Sequence, residues 1–202
     1  MNPCLITYYD IRGWQIASCS FETAANFASI SGLDYVSEPT GAISGGFYTG
    51  SYDRWPYMRK IELSIRELEA GRPYVVYADV DIIFNVDADT SVFSKYTGSL
   101  SIIGREYPET SFFIAYPSAL PLLYQWSSSY TNFRDTDEES LMTMYRTSGS
   151  IRNMITIIPA FPYITSTVSG IATGSIGKHF YASSGIESTL YLMKQYKSAM
   201  FG

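Results

Sequence analysis

The sequence contains few of the residue types that mark several common classes of protein. Among 202 residues there are 14 lysines and arginines, two cysteines and one histidine. Cys4 and Cys19 lack the spacing of a zinc ligand set, so free thiols in a reducing compartment are the simpler interpretation. The N-terminus has no basic start, and no run of about 18 apolar residues occurs. We therefore predict a cytoplasmic protein without a membrane-spanning segment or an export signal.

The small number of basic residues also limits the choice of partners. The formal net charge is −5 and the isoelectric point is near 4.9. A protein that binds duplex nucleic acid needs clustered lysine and arginine to neutralise phosphates, whereas here they are spread along the chain. We expect no nucleic acid partner. An acidic protein that handles phosphate groups would need a cation.

The rest of the composition is typical of a globular protein. Hydrophobic residues make up 46% of the chain and charged residues 16%, which is enough to bury a sizeable core. The sequence shows no internal repeat and no low-complexity block. We predict that residues 1–202 form a single domain, either complete or part of a longer multi-domain chain.

Apolar runs and helical periodicities alternate along the chain. The runs predict strands over 4–9, 34–37, 74–78, 99–104, 111–116 and 155–158, and the periodicities predict helices over 21–31, 55–70, 118–130, 136–146 and 184–197. Ser20 and Ser184 are candidate N-caps, and Thr136 with Glu139 forms a capping box. Alternating strands and helices favour an α/β fold with a mostly parallel central sheet flanked by helices.

Two aspartates one residue apart are the most informative feature. Asp79 and Asp81 follow the apolar run 74–78 and precede Ile82. Carboxylates in apolar surroundings are costly unless a cation or several donors compensate them. Extended backbone can point residues 79 and 81 the same way, toward one hard divalent ion. The sequence thus predicts a metal site at a strand end. The alternative is that the two acids only form a turn or cap a helix.

Another group of polar residues ends the first predicted strand. Tyr8, Tyr9 and Asp10 lie there, just as Asp79 and Asp81 end a later strand. In open parallel sheets, ligands bind beyond the carboxyl ends of the strands. We expect the two groups to meet across one crevice.

Taken together, these residues resemble the GT-A class of nucleotide-sugar glycosyltransferases. The resemblance rests on the first strand ending in Tyr-Tyr-Asp, a helix carrying Trp55, Arg59 and Lys60, and the apolar strand with its Asp-x-Asp. The chain looks most like the N-terminal glycosyltransferase domain of multi-domain enzymes encoded by chlorella viruses. The resemblance implies a single GT-A (Rossmann-like) domain, a bound Mn²⁺ or Mg²⁺, and a UDP-sugar donor. A viral origin would place the protein in the host cytoplasm.

The resemblance also implies a metal site. By the family pattern Asp81 ligates the ion, while Asp79 serves the metal indirectly or holds the ribose. His179, the single histidine, matches the position in chain order of a further C-terminal ligand, although the downstream Lys-Pro-Trp of the fuller motif is absent. A histidine on the surface or in the core is the alternative.

Further residues are candidates for the donor site. The candidates are Tyr8, Tyr9, Asp10, Arg59, Asp79, Val80 and Lys178. The rings of Tyr8 and Tyr9 could stack on a uracil, although packing in the core explains them equally well. The carboxylate of Asp10 could accept a hydrogen bond from the base, or it could cap the following turn. Arg59 suits a phosphate or sugar clamp, and Lys178 a diphosphate partner. For Arg59 the alternative is a surface ion pair with Glu62, which is our preferred interpretation of Lys60.

Candidates for the acceptor side follow the central strands. In an inverting transfer one carboxylate removes the proton of the acceptor hydroxyl. Asp137 is our first candidate for that base, with Asp135 and Glu138 next; helix capping is the alternative role of these acids. Arg105 and Glu106 are further polar candidates near the acceptor.

The function predicted from the sequence is metal-dependent glycosyl transfer. A hexose, or a deoxyhexose such as rhamnose, would move from a UDP donor to a hydroxyl of a glycan or glycoprotein acceptor. Two alternatives are open. A nucleotidyltransferase that makes nucleotide-sugars would release pyrophosphate, and a non-catalytic nucleotide- or sugar-binding module would show no turnover.

Overall fold

Strands and helices alternate along most of the chain. The structure is a computed structural model that describes residues 1–9, 14–39, 55–129, 136–166, 175–180 and 186–201. Its strands are β1 (Cys4–Tyr9), β2 (Asp34–Pro39), β3 (Val75–Ala78), β4 (Ile82–Phe84), β5 (Leu100–Gly104), β6 (Pro108–Ala115), β7 (Ile155–Pro159), β8 (Ile164–Ser166) and β9 (Gly177–His179). Its helices are α1 (Trp14–Ile30), α2 (Trp55–Glu69), α3 (Val92–Lys95), α4 (Leu120–Ser129), α5 (Asp137–Thr147), α6 (Gly149–Met154), α7 (Ala160–Tyr163) and α8 (Ile186–Phe201).

The larger sheet has the strand order β2-β1-β3-β6-β5-β7. β1 runs parallel to β2 and β3, and β5 runs parallel to β7. β6 is antiparallel to both of its neighbours because only residues 105–107 separate it from β5, which is too short a connection for a parallel crossover. The predicted mostly parallel sheet is therefore confirmed, with one reversed strand inside it.

The strand order reverses between β1 and β3. The chain passes from β1 to β2 on one side, then returns to place β3 on the other side of β1. The register pairs Cys4 with Val75 and Ile6 with Tyr77, so the carboxyl ends of these two strands lie side by side. This is the switch point at which α/β sheets form a ligand crevice.

A smaller sheet joins the late part of the chain to this edge. Its order is β4-β9-β8, and β4 pairs with β9 in antiparallel register, with Ile82 opposite His179. The Phe180 amide donates to the Asp81 carbonyl at 2.9 Å, which extends the pairing by one step. Two segments almost a hundred positions apart are thus held next to each other.

The core lies on both faces of the larger sheet. On one face Ile61 of α2 and Trp126 of α4 pack against Phe113. On the other face Phe27 of α1 belongs to the cluster around Ile114. Because β6 is covered on both sides, its second half, residues 112–115, is continuously apolar rather than alternating, as expected for a buried strand.

Some element boundaries differ from those predicted. α1 begins at Trp14 rather than at 21, because Ile16, Ala17 and Cys19 already pack inward. Ser20, the predicted N-cap, lies inside the helix and its hydroxyl donates to the Ala17 carbonyl. The capping box of Thr136 and Glu139 is confirmed, whereas the predicted cap Ser184 lies outside the described residues. In the described parts of the chain, no helix combines the length and the apolar character required to cross a bilayer.

Candidate metal and donor site

Three side chains that can ligate a metal meet beyond β3. Asp79 follows β3, Asp81 precedes β4 and His179 ends β9, and one ligand atom from each lies within 4.8 Å of the others. The Nε2 of His179 is 3.1 Å from Oδ1 of Asp81. That oxygen is buried, yet within the described residues it accepts no hydrogen bond of good geometry.

Backbone hydrogen bonds fix the turn that carries the two aspartates. The Asp79 amide donates to the Ser111 carbonyl of β6 at 2.8 Å, and the Ile82 amide donates to the Asp79 carbonyl at 3.2 Å. Asp79 and Asp81 are therefore held by both sheets. Two carboxylates and an imidazole form a donor set suited to a divalent ion such as Mn²⁺, and the buried acceptor on Asp81 fits such an ion.

The charges in this cluster depend strongly on each other. Burial raises the pKa of Asp79, Lys60 opposes that change, and the neighbouring Asp81 adds to it. For His179, burial favours the neutral ring, but Asp81 outweighs it and raises the pKa of the imidazole. Without a metal, the acidic cluster thus favours a proton on His179. A divalent cation would compete with that proton for the same ring nitrogen.

Lys60 is the buried cation of the site. Its side chain is 4% exposed, and its Nζ lies 3.2 Å from Oδ1 of Asp79 and 2.9 Å from Oδ2 of Asp137. It also donates to the Thr110 carbonyl at 3.1 Å. Burial opposes the charged form, but the attraction of Asp137 and Asp79 prevails and raises the pKa of Lys60. The predicted surface ion pair with Glu62 is wrong for this lysine, since α2 directs it against the sheet.

Arg59, one position earlier, lies in a different environment. Its Nη2 is 2.9 Å from Oε2 of Glu38 at the end of β2, and its Nη1 is 3.4 Å from Oε2 of Glu62. The ion pair with Glu62 that was the alternative for Arg59 is therefore present, together with a closer one. A donor molecule would have to share Arg59 with these two acids.

The start of α5 brings two acids to the opposite side of Lys60. Asp137 is 4% exposed, and its carbonyl accepts the Nε1–H of Trp126 at 3.1 Å. Glu138 is half-buried and accepts the backbone N–H of Thr110. Burial, then the charges of Asp137 and Glu109, raise the pKa of Glu138. Asp135 lies outside the described residues.

The predicted base-binding residues end β1. Tyr8 is half-buried with its ring 6.0 Å from that of Tyr77, whose hydroxyl donates to Asp79. Burial raises the pKa of Tyr8. The ring of Tyr9 packs against two others, with its centroid 5.4 Å from that of Trp14 and 5.3 Å from that of Phe21. Asp10, which follows directly, lies outside the described residues.

Val80 and Lys178 are close to the cluster in sequence but point into an apolar region. Val80 is half-buried and packs against an apolar cluster that includes Ile16 of α1 and Met193 of α8. Lys178 is 5% exposed, and its Nζ lies 5.3 Å from the ring centroid of Phe180 and 5.4 Å from that of Tyr196. Burial lowers the pKa of Lys178. Successive strand residues face opposite ways, so His179 and Lys178 diverge.

Lys60 is named in the sequence analysis as a surface residue, whereas the structure buries it in the site. It lies between buried Met58 and Ile61 on the helix that leads into the Asp79 strand. A lysine among apolar positions directly before a strand with paired aspartates is a usable signal of a buried ion pair. Charge on a helix is usually solvated, which favoured the wrong interpretation.

Comparison with known proteins extends this picture. No protein-family model and no curated protein matches the sequence. A glycosyltransferase involved in the glycosylation of the major capsid of PBCV-1 is similar in structure, with a TM-score of 0.73 over 96% of this chain and 100% of that chain at 13% identity. The galactosyltransferase LgtC, solved with donor and acceptor sugar analogs, gives a TM-score of 0.57 over 100% of this chain and 97% of that one at 9% identity. The chain therefore has the GT-A fold of these glycosyltransferases.

Proposed function

We propose that the protein is a metal-dependent glycosyltransferase. It transfers a hexose, or a deoxyhexose such as rhamnose, from a UDP-sugar to a hydroxyl of a glycan or glycoprotein, and it acts in the cytoplasm, that of the host if the protein is viral. The observation that carries the proposal is the meeting of Asp79, Asp81 and His179 at the switch point of a glycosyltransferase fold.

The metal in this proposal is Mn²⁺ or Mg²⁺, held by Asp81 and His179 with Asp79 beside them. When bound, the cation stabilises the negative charge that develops on the departing diphosphate. Asp79 also contacts Lys60 and Tyr77, so its carboxylate has a fixed position before any donor arrives. Such preorganisation contributes to charge stabilisation because the carboxylate does not have to reorient when the charge develops.

The donor lies along the carboxyl ends of β1 and β3. Tyr8, Tyr9 and Asp10 contact the uracil, while Asp79 and the backbone of Val80 contact the ribose side of the nucleotide, since the Val80 side chain packs in an apolar cluster. The partial exposure of the residues Tyr8 and Tyr9 at this strand end supports the placement. Two further donor contacts, from Arg59 and Lys178, require these side chains to exchange part of their present contacts with Glu38 and with the rings of Phe180 and Tyr196.

The acceptor approaches from the side of α5. Among the three acids considered as the base, Glu138 has the more suitable surroundings, because it is half-buried and its raised pKa makes its carboxylate a stronger base. Asp137 instead faces Lys60 and positions it. Asp135 is an additional acid of the same segment. In a retaining transfer no base is required on this side, and Glu138 then only orients the acceptor hydroxyl.

The experiment that tests the proposal measures UDP release from a panel of UDP-sugars. It compares Mn²⁺ with excess EDTA, and wild type with Asp81→Asn and with the matched control Asp87→Asn, which changes an exposed aspartate nearby. We expect release only with the metal, a loss of at least about 100-fold in Asp81→Asn, and no change in Asp87→Asn. Metal-independent release, or release of pyrophosphate, would contradict the proposal.

A further inference from the structure

The hairpin between β5 and β6 projects beyond the edge of the sheet that holds the metal cluster. β5 runs parallel to β3 because both are antiparallel to β6, so residues 105–107 lie at the same sheet edge as Asp79. The hairpin leads into Glu109, which acts electrostatically on both His179 and Glu138. In the strand order, the hairpin lies on the side of β3 opposite to β1 and the proposed donor residues.

An aromatic side chain on this hairpin is exposed but held in place. Tyr107 is 39% exposed, and the guanidinium carbon of Arg146 in α5 lies 4.5 Å from the centroid of its ring. At the base of the hairpin, Gly104 approaches the Tyr107 carbonyl so closely that a Cβ would overlap the oxygen. The ring thus has a partner on α5, and the glycine lets the hairpin backbone close tightly on its own base.

We propose that Tyr107 and Arg146 form a platform for a pyranose ring of the acceptor glycan. This inference rests on the proposed function and assigns it an acceptor subsite. An aromatic face takes the apolar C–H side of a sugar, and a guanidinium offers donors to its hydroxyls. The Arg146 side chain supplies both a stacking partner for Tyr107 and such donors.

The distance along β6 fits this assignment. Thr110, whose carbonyl contacts Lys60, is three residues from Tyr107. Tyr107 lies just before β6, and three residues of extended chain span at most about 10 Å, so the two residues are no further apart than that. A pyranose ring on Tyr107 therefore lies one or two sugars away from the reacting centre. The platform therefore binds a sugar of the acceptor other than the one whose hydroxyl reacts.

Binding of simple sugars tests the platform directly. The probes are methyl glycosides of glucose, galactose, mannose, xylose and rhamnose, titrated into protein with labelled tyrosine rings and followed by NMR. We expect at least one glycoside to shift the Tyr107 ring signals of the wild type. Isothermal titration calorimetry, which does not depend on that ring, should show binding lost in Tyr107→Ala and kept in Tyr107→Phe. The matched control is Tyr191→Ala, which removes a tyrosine that is 63% exposed on α8 and should bind as wild type does.

A kinetic experiment separates this inference from the proposed function. Hydrolysis of a UDP-sugar by water needs the donor site alone, whereas transfer to a bound glycoside also needs the platform. We expect Tyr107→Ala to raise the acceptor KM roughly 3- to 10-fold and to leave hydrolysis unchanged. An unchanged acceptor KM, or no glycoside that shifts the Tyr107 ring, overturns the platform while hydrolysis still upholds the enzyme. If the wild type neither hydrolyses nor transfers any UDP-sugar, the proposed function is overturned. The glycoside titration then still tests the platform.

Discussion

Lys60 and Asp137 form a buried ion pair between α2 and α5, with 2.9 Å between Nζ and Oδ2. Both side chains are almost fully buried, and the same ammonium contacts Asp79 at 3.2 Å. One cation therefore links α2 and α5 to the strand end that carries the Asp79, Asp81 and His179 cluster. The ammonium is shared by one buried and one partly exposed carboxylate, which lets both stay close to the site without a metal.

Removal of Lys60 should destabilise the protein strongly. In Lys60→Met the Asp137 and Asp79 carboxylates lose their shared cation, and breaking a buried pair from one side costs about 3–5 kcal/mol of unfolding free energy. Urea denaturation measures this loss. The control Lys194→Met changes an exposed lysine of α8 and should stay within about 0.5 kcal/mol of wild type.

The double variant Lys60→Met/Asp137→Leu distinguishes the ion pair from simple packing. It removes both charges and should regain part of the stability lost in Lys60→Met, because the buried carboxylate that lacked a partner is gone. A double variant whose loss equals the sum of the two single losses would contradict the coupling between these residues.

The pattern of the sequence was sufficient to predict the strand ends but not the contacts beyond them. Asp79 and Asp81 could be identified as candidate site residues from the sequence, because placing two acids directly after an apolar run is unfavourable unless a cation or hydrogen-bond donors compensate them. The position of His179 in chain order fitted a ligand, yet its proximity to Asp81 depends on the pairing of β4 with β9. That pairing is between distant segments of three residues each, which local periodicity cannot reveal.

Metal binding should depend on His179 even without a nucleotide. In His179→Gln one of the three proposed ligands is replaced by a weaker one, so we expect the affinity for Mn²⁺ to fall at least about tenfold. Isothermal titration calorimetry measures it. Glu106→Gln, which alters an exposed acid of the β5–β6 hairpin, is the control and should bind Mn²⁺ as wild type does. Equal affinity in His179→Gln would show that the histidine is not a ligand.

Binding of the metal should also raise the stability of the folded protein. At a free Mn²⁺ concentration of 100 times the dissociation constant, a ligand that binds only the native state adds about 2.7 kcal/mol. Excess EDTA should therefore lower the melting temperature of wild type. It should have no such effect on Asp81→Asn.

The raised pKa of Glu138 predicts a defined pH dependence of stability. A carboxyl group that binds its proton more tightly in the folded state contributes stability at low pH, and the contribution is lost as the pH rises from the ordinary value of 4.5 through the folded pKa. Glu138→Gln lacks this loss. The unfolding free energy of the variant relative to wild type should increase over that interval and level off above it. Denaturation at a series of pH values measures the difference.

The acids of α5 show why roles are harder to predict than positions. Asp137, Glu138 and Glu139 all fit a helix start, and Glu139 is used for that purpose in the capping box with Thr136. Only the packing of α5 against β6 separates the other two, since it turns Asp137 toward Lys60 and Glu138 toward the Thr110 amide. The sequence contains the acids, but the tertiary contact assigns their partners.

Substitution of Gly104 should be costly because of the close approach of the β5–β6 hairpin to its own base. A Cβ at this position would overlap the Tyr107 carbonyl oxygen and come within 3.4 Å of the Pro108 Cα, so the hairpin backbone has to move. We expect Gly104→Ala to lose about 1–3 kcal/mol of unfolding free energy, as over-packed sites do. Gly149→Ala is the matched control, since a Cβ there meets nothing within 4 Å in the first turn of α6. Equal stability of the two variants in urea denaturation would show that the hairpin backbone moves at little cost. The tight hairpin turn would then not hold Tyr107 in place.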